Sequence, residues 1–232
     1  MPTALITGSN RGLGLEWVRQ CAVRGWRVIA TCRDPDSATA LQEFASQNLE
    51  VNIHRLNVTA PDQITDLAEA LRDETLDLLV NNAGVYFEHW GKDPIGSIDY
   101  DDWEETFRVN TLGPMRVTEA FVQHLSYGSG PLVVAITSNM GSIAEINAPR
   151  DYAYRSSKAA LNAAMHGLAQ ELEPRGIGVL LLHPGWVRTG MGGSSAPLSP
   201  QESVRGMLSL VDGFKPSMSG EFFRFDGTRL PW

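Results

Sequence analysis

The sequence predicts an α/β protein built on a doubly wound, seven-stranded, mainly parallel sheet with helices on both faces. Three observations predict it. Short β-branched or leucine-rich runs alternate with longer amphipathic stretches from end to end, the pattern of helices crossing over between parallel strands. Most of the short runs are almost wholly apolar, as strands covered on both faces must be. At 232 residues with 43% hydrophobic content, the chain can bury one sizeable core but not two, so residues 1–232 are expected to form a single domain.

The strand candidates are residues 4–7, 27–31, 51–56, 76–81, 132–137, 179–183 and 221–225. Helical periodicity fits 13–24, 37–47, 61–72, 101–125, 154–172 and 200–211. The punctuation agrees: Gly25 follows the first helix, Pro61 falls in a first turn, and Asp36 and Thr59 stand where they would cap the second and third helices. The long irregular segments, about 85–100, 138–151 and 185–199, each follow a strand's carboxyl end, where ligands bind in a doubly wound sheet.

A net charge of -8 with no basic stripe argues against a nucleic-acid partner. No apolar stretch approaches the ~20 residues of a membrane span, and the first residues lack the features of a secretory signal. Cys21 and Cys32 sit in apparent core elements and read as buried free thiols. A cytoplasmic setting without membrane attachment is the expectation. The histidines, at 54, 89, 124, 166 and 183, show no ligand spacing, so no metal site is expected.

Thr7-Gly8-Ser9-Asn10-Arg11-Gly12-Leu13-Gly14 follows the first strand and opens the first helix, so backbone N–H groups and the helix N-terminus converge on one point that attracts a pyrophosphate. Gly8 would allow the tight turn, Gly12 close approach of the backbone to a ligand, and Gly14 packing of helix on sheet. The second strand ends in Cys32-Arg33-Asp34. A carboxylate there would hold ribose hydroxyls, whereas a guanidinium matches a 2′-phosphate. Arg33 comes first and Arg11 stands ready to close on the same phosphate from the other side, so NADP(H) is favoured over NAD(H), which Asp34 would serve.

Tyr154 and Lys158 are four apart and share a helix face, so an ammonium beside the phenol is expected to favour the phenolate. An ordinary tyrosine, with a pKa of ~10, exchanges its proton poorly near neutrality. With only 3 lysines for 5 tyrosines, such a pair seldom arises by chance. Tyr152 has Ser156 at that spacing instead. Ser138, at the end of a buried strand, is placed to hydrogen-bond a substrate oxygen and stabilise developing charge.

Thr7 to Gly14, Asn81-Asn82-Ala83-Gly84, Asn110, Ser138, Tyr154-x3-Lys158 and Pro184-Gly185 with Thr189 together resemble the short-chain dehydrogenase/reductases over nearly the whole chain. His183-Pro184-Gly185-Trp186-Val187 and the final Leu230-Pro231-Trp232 look most like the small C-factor-like and sniffer-like carbonyl reductases. The resemblance implies a Rossmann-like fold, catalytic roles for Asn110, Ser138, Tyr154 and Lys158, and reduction of an aldehyde or ketone, or the reverse. Asn110 would hold a water relaying protons from Lys158, and Lys158 would hold the nicotinamide ribose. Cofactor contacts are implied at Gly8, Asn10, Arg11, Gly12, Leu13, Gly14, Arg33, Asn57, Val58, Asn82, Ala83, Gly84, Tyr154, Lys158, Pro184, Gly185, Val187 and Thr189. Contact at Ala83 and Gly84 would run through backbone, and Thr189 would meet the carboxamide.

Substrate would meet Ser138, Met140, Tyr154 and Trp186, with Trp90 and Met191 as further candidates for an apolar wall. Two departures stand out. Asn57 replaces an aspartate frequent in the family, and Ser138 precedes Tyr154 by sixteen residues, which predicts a longer loop beside the pocket. Helices at 101–125 and 154–172 would pair between subunits, as in the family, giving a homodimer or homotetramer. A cofactor-binding sensor or signalling protein of the same fold with little turnover is the alternative reading.

Overall fold

A computed structural model describes residues 1–88 and 94–232. Its sheet has seven strands: β1 (Thr3–Thr7), β2 (Arg27–Cys32), β3 (Val51–Arg55), β4 (Leu78–Asn81), β5 (Leu132–Ile136), β6 (Gly178–His183) and β7 (Phe222–Arg224). Their order is β3-β2-β1-β4-β5-β6-β7, and every pairing is parallel. The direction of winding reverses between β1 and β4, which opens a crevice at their carboxyl ends.

Successive side chains of a strand point to opposite faces, and each face has its own core. Leu5, Leu79, Val133 and Leu181 pack with Phe121, Leu125, Leu161 and Met165 on one side. Ala4, Ile6, Val80, Val134 and Leu182 pack with Trp17, Val18, Leu41 and Met207 on the other. The helices are α1 (Gly12–Val23), α2 (Thr39–Ser46), α3 (Pro61–Ala70), α4 (Tyr100–Phe107), α5 (Gly113–Ser126), α6 (Tyr152–Leu172) and α7 (Pro200–Asp212).

Three expectations need correction. The helix expected over 101–125 is not continuous, because a π-helical stretch, Arg108–Leu112, separates α4 from α5. Pro114 has no N–H to give the carbonyl of Asn110 in an α-helical ladder, and the backbone widens so that Gly113 N–H reaches Arg108 O instead. Neither Asp36 nor Thr59 caps a helix: Ala38 and Ala60 hold those positions without a side-chain cap bond. Asp36 pairs with Arg55 at 3.0 Å, and the Thr59 hydroxyl donates to Asn57 Oδ1 at 3.0 Å. The helix expected over 154–172 starts at Tyr152 rather than Tyr154.

Pro61 does occupy the first turn of α3, and Gly25, at φ 77°, follows α1 in the left-handed conformation that favours glycine. No helix among the described residues is long and apolar enough to cross a membrane.

Candidate active site

The glycine turn is built by contact between the loops after β1 and β4. A Cβ on Gly8 would lie 2.9 Å from Ala83 Cα, and one on Gly14 would lie 2.2 Å from Gly8 O, so both loops meet as bare backbone. Asn82 Nδ2 donates to Thr7 O at 2.8 Å and Gly8 O at 3.2 Å. Thr7 Oγ1 accepts the N–H groups of Asn82 and Ala83, each at 3.0 Å. Asn82 therefore braces the turn from below, and the Ala83 N–H is engaged within the protein, which leaves Ala83 only its carbonyl and surface for a ligand. Arg11 opens α1 without a side-chain cap, and no acidic residue stands in the first turn, so the N-terminal field is left for an anion.

A cavity of about 360 Å³ runs from this turn to Tyr154 and Lys158. Gly8, Asn10, Arg11, Gly12, Leu13, Gly14, Arg33, Asn57, Val58, Asn82, Ala83, Gly84, Pro184 and Thr189 all line it, as do Val85 and Met191. At the β2 tip, the Asp34 carboxylate lies 3.7 Å from Arg55 Nη2, while among the described residues neither Arg11 nor Arg33 forms an ion pair. Arg11 Nη1 rests 3.8 Å from where a Cβ on Gly190 would stand, across the turn from Arg33. Asn57 Oδ1 is engaged with Thr59 N–H at 3.1 Å, and Val58 packs on Gly113.

At the other end, Lys158 is buried and its Nζ donates to Ile136 O at 2.8 Å. It lies 5.8 Å from the Tyr154 ring centroid. Burial lowers the Lys158 pKa to about 8. Burial also pushes Tyr154 up to about 12, opposed by its hydrogen bond with Ser138. Lys158 stands on the same helix face as Tyr154, as the spacing predicts. The ammonium is turned toward the β5 carbonyl, and burial disfavours its charge. Tyr152 points elsewhere, stacked 6.4 Å from Trp103.

Ser138 is buried and begins a 3-10 turn, Asn139–Gly141, accepting Met140 N–H at 3.1 Å. The long loop that follows carries exposed Ile143 and Ile146, and its Ala144 N–H donates to Trp232 O at 2.9 Å. Asn110 is fully buried in the π-helical stretch. Its side chain accepts Val85 N–H at 2.8 Å and donates to Val85 O at 2.9 Å and Ser157 Oγ at 3.1 Å. That side chain is a clamp on the post-β4 loop.

After β6, Gly185 takes φ 80°, a conformation that favours glycine, with Leu198 Cδ1 2.4 Å from where a Cβ would stand. Val187 is buried in a bridge to Leu198. Thr189 Oγ1 accepts Gly192 N–H at 3.1 Å, and its methyl would be 3.4 Å from a Cβ on Gly12, which closes this loop over the glycine turn. Trp186 is exposed, with Nε1 donating to Gly192 O at 2.8 Å. Gly185, Trp186, Val187, Asn110, Ser138 and Met140 are not among the residues lining the cavity. Trp90 and His89 lie outside the described residues.

Sequence reasoning missed Tyr86, Glu88 and Asp151. The Tyr86 ring meets that of Tyr154 edge-on at 4.9 Å, and its hydroxyl donates to Asp151 Oδ1 at 2.6 Å. Glu88 accepts the N–H groups of Ala153 and Tyr154. No spacing rule links residues some 65 positions apart; the only signal was their membership of two post-strand loops.

Among the described residues no cluster of His, Cys, Asp and Glu is arranged to hold a metal ion. His183, at the end of β6, has a pKa lowered to about 4, chiefly by burial and then by Arg224. The unfolded chain takes up this proton near pH 6.5 and the folded one only near 4, so stability falls as pH drops through that window. Denaturant midpoints measured between pH 7 and 4 are expected to decline less steeply in His183→Gln than in the parent.

A doubly wound sheet with a glycine turn and a tyrosine–lysine pair at its switch point defines a nucleotide-dependent oxidoreductase class. The family model for short chain dehydrogenases matches residues 2–198, and the chain belongs to that family. It is 48% identical over 157 residues to C-signal of Myxococcus xanthus, covering 68% of this chain and 93% of that protein. The NADPH-bound carbonyl reductase from chicken fatty liver superposes with a TM-score of 0.93 at 32% identity, covering 100% of this chain and 99% of that one. Carbonyl reductase Sniffer of D. melanogaster gives 0.92 at 31% identity, with both chains covered completely.

Proposed function

We propose that this protein is an NADP(H)-dependent carbonyl reductase that reduces an aldehyde or ketone, or runs the reverse oxidation, with Tyr154 as general acid and base. The observation that carries this reading is a continuous cavity with Tyr154 and Lys158 at one end and the glycine turn with Arg33 at the other. The residues present fit a dinucleotide: the turn is bare backbone where a Cβ on Gly8 or Gly14 would collide, and the uncapped start of α1 favours a pyrophosphate. When bound, NADPH supplies the reducing equivalent for the carbonyl carbon.

In the reducing direction the Tyr154 hydroxyl gives its proton to the substrate oxygen, while the Ser138 hydroxyl orients that oxygen. Lys158 replenishes the proton and holds the ribose. The Asn110 side chain is engaged, so its part in the relay falls to its main-chain carbonyl, which Pro114 leaves without an α-helical donor.

NADP(H) is supported by Arg33, which has no carboxylate partner among the described residues, and by Arg55 engaging Asp34. The carbonyl reductase structure from chicken fatty liver holds NADPH, in keeping with this preference. The test is a spectrophotometric screen of NADPH and NADH oxidation against small aldehydes, ketones and quinones. In that screen Arg33→Ala is expected to lose roughly 10–100-fold in kcat/KM with NADPH, the value of one charge-assisted contact, and little with NADH. Equal losses with both cofactors would remove the 2′-phosphate assignment. The similarity to C-signal supports a second reading, a cofactor-binding signalling protein, which cofactor binding without turnover across the panel would favour.

A further inference from the structure

We propose that Glu88 is the positioning residue for Tyr154, holding the first turn of α6 through two backbone hydrogen bonds so that the phenol faces the substrate. This rests on the reading of Tyr154 as proton donor. The start of α6 is not capped by its own sequence: Asp151 takes the N-cap position in the left-handed region, φ 54°, and its side chain makes no cap bond. Arg150 before it is also left-handed, at φ 76°, an uncommon conformation for residues with a Cβ. The first N–H bonded back into this turn is that of Arg155, to Asp151 O at 2.9 Å, so the N–H groups of Ala153 and Tyr154 need acceptors from elsewhere.

Glu88 supplies both. Its Oε1 accepts Ala153 N–H at 2.8 Å and its Oε2 accepts Tyr154 N–H at 2.6 Å. A carboxylate at this end also meets the positive end of a 21-residue helix. Glu88 is itself fixed at the end of a short strap. Val85 is clamped by Asn110, and Tyr86 packs edge-on against the Tyr154 ring while its hydroxyl holds Asp151. Backbone and ring of Tyr154 are thereby located by residues 85–88, which arrive directly from the β4 end of the crevice. The post-β4 loop thus both walls the cavity, at Val85, and aims the proton donor.

The experiment compares Glu88→Ala and Glu88→Gln with the parent. Readouts are kcat, KM, NADPH affinity by fluorescence, amide exchange at Ala153 and Tyr154, and the Tyr154 Cζ shift by NMR. Misplacing a reacting group by about 1 Å can cost up to ~10²-fold, so Glu88→Ala is expected to lose roughly 10–100-fold in kcat. NADPH affinity should stay within about twofold, since the phosphate end of the site is untouched. Both amides should exchange faster and the Cζ signal should move. Glu88→Gln keeps one acceptor oxygen and should fall between, and it carries the test if the alanine variant does not fold.

Unchanged kcat, or a parallel loss of NADPH affinity, would overturn the assignment. Should the parent reduce no carbonyl at all, the proposed activity fails on its own account. The amide exchange and Cζ shift then decide: a change supports the positioning role, and no change overturns it.

Discussion

Tyr154→Phe is expected to abolish carbonyl reduction, lowering kcat by roughly 10²–10⁴-fold, the span general acid catalysis covers, while leaving NADPH affinity nearly unchanged. The substitution removes one oxygen and keeps the ring that Tyr86 packs against. Burial raises the phenol above its usual pKa, to about 12, so its proton moves only as the substrate oxygen becomes strongly basic on receiving hydride at the adjoining carbon. Ser138 hydrogen-bonds the same hydroxyl and alone has no means of delivering a proton with comparable ease. Turnover near the parental rate in Tyr154→Phe would mean that another group protonates the substrate oxygen.

Gly14→Ala is expected to damage fold and cofactor site together. The added methyl would stand 2.2 Å from Gly8 O and 2.6 Å from Asn82 Nδ2. The first contact is backbone at the heart of the turn, and the second is the side chain bracing it. Nothing flexible lies there to yield. Overpacking of this kind costs about 1–3 kcal/mol, and reshaping the turn should weaken NADPH binding at least about tenfold, since each ~1.4 kcal/mol lost is a factor of ten. Calorimetric melting with and without NADPH checks both; parental melting and binding in the variant would show that helix and sheet do not approach as closely as the geometry requires. Gly12→Ala contrasts with it, because the Cβ there meets only the Thr189 side chain, at 3.4 Å, although φ is 57°.

Strand identity was legible because a strand buried on both faces leaves an apolar run that no amphipathic helix imitates. The interruption at Arg108–Leu112 was not. Apolar periodicity continues through Val109 and Leu112 into α5, and only the lack of an N–H on Pro114 marks the place where the ladder must widen. Asp36 and Thr59 have side chains suited to capping, yet tertiary partners, Arg55 and Asn57, claim them. Capping preference is worth about 1 kcal/mol, little enough for a neighbouring ion pair or hydrogen bond to redirect.

The site divides the same way. Tyr154 with Lys158, and the glycines of the first turn, are local patterns, and local patterns survive in one dimension. What Lys158 does to Tyr154 is not local. The separation of Nζ from the ring, its bond to Ile136 O and the burial of both groups depend on how α6 lies against β5.

The sequence by itself determined the α/β class, the strand and helix order, the glycine turn and the tyrosine–lysine pair, because each is written in spacings of a few residues that backbone geometry converts directly into shared faces or turns. Only the tertiary structure decided that Lys158 Nζ turns to Ile136 O, that Asn110 clamps Val85, and that Glu88 holds the start of α6. These depend on desolvation and on hydrogen bonds between loops brought together by the parallel sheet, and separation along the chain carries no trace of either.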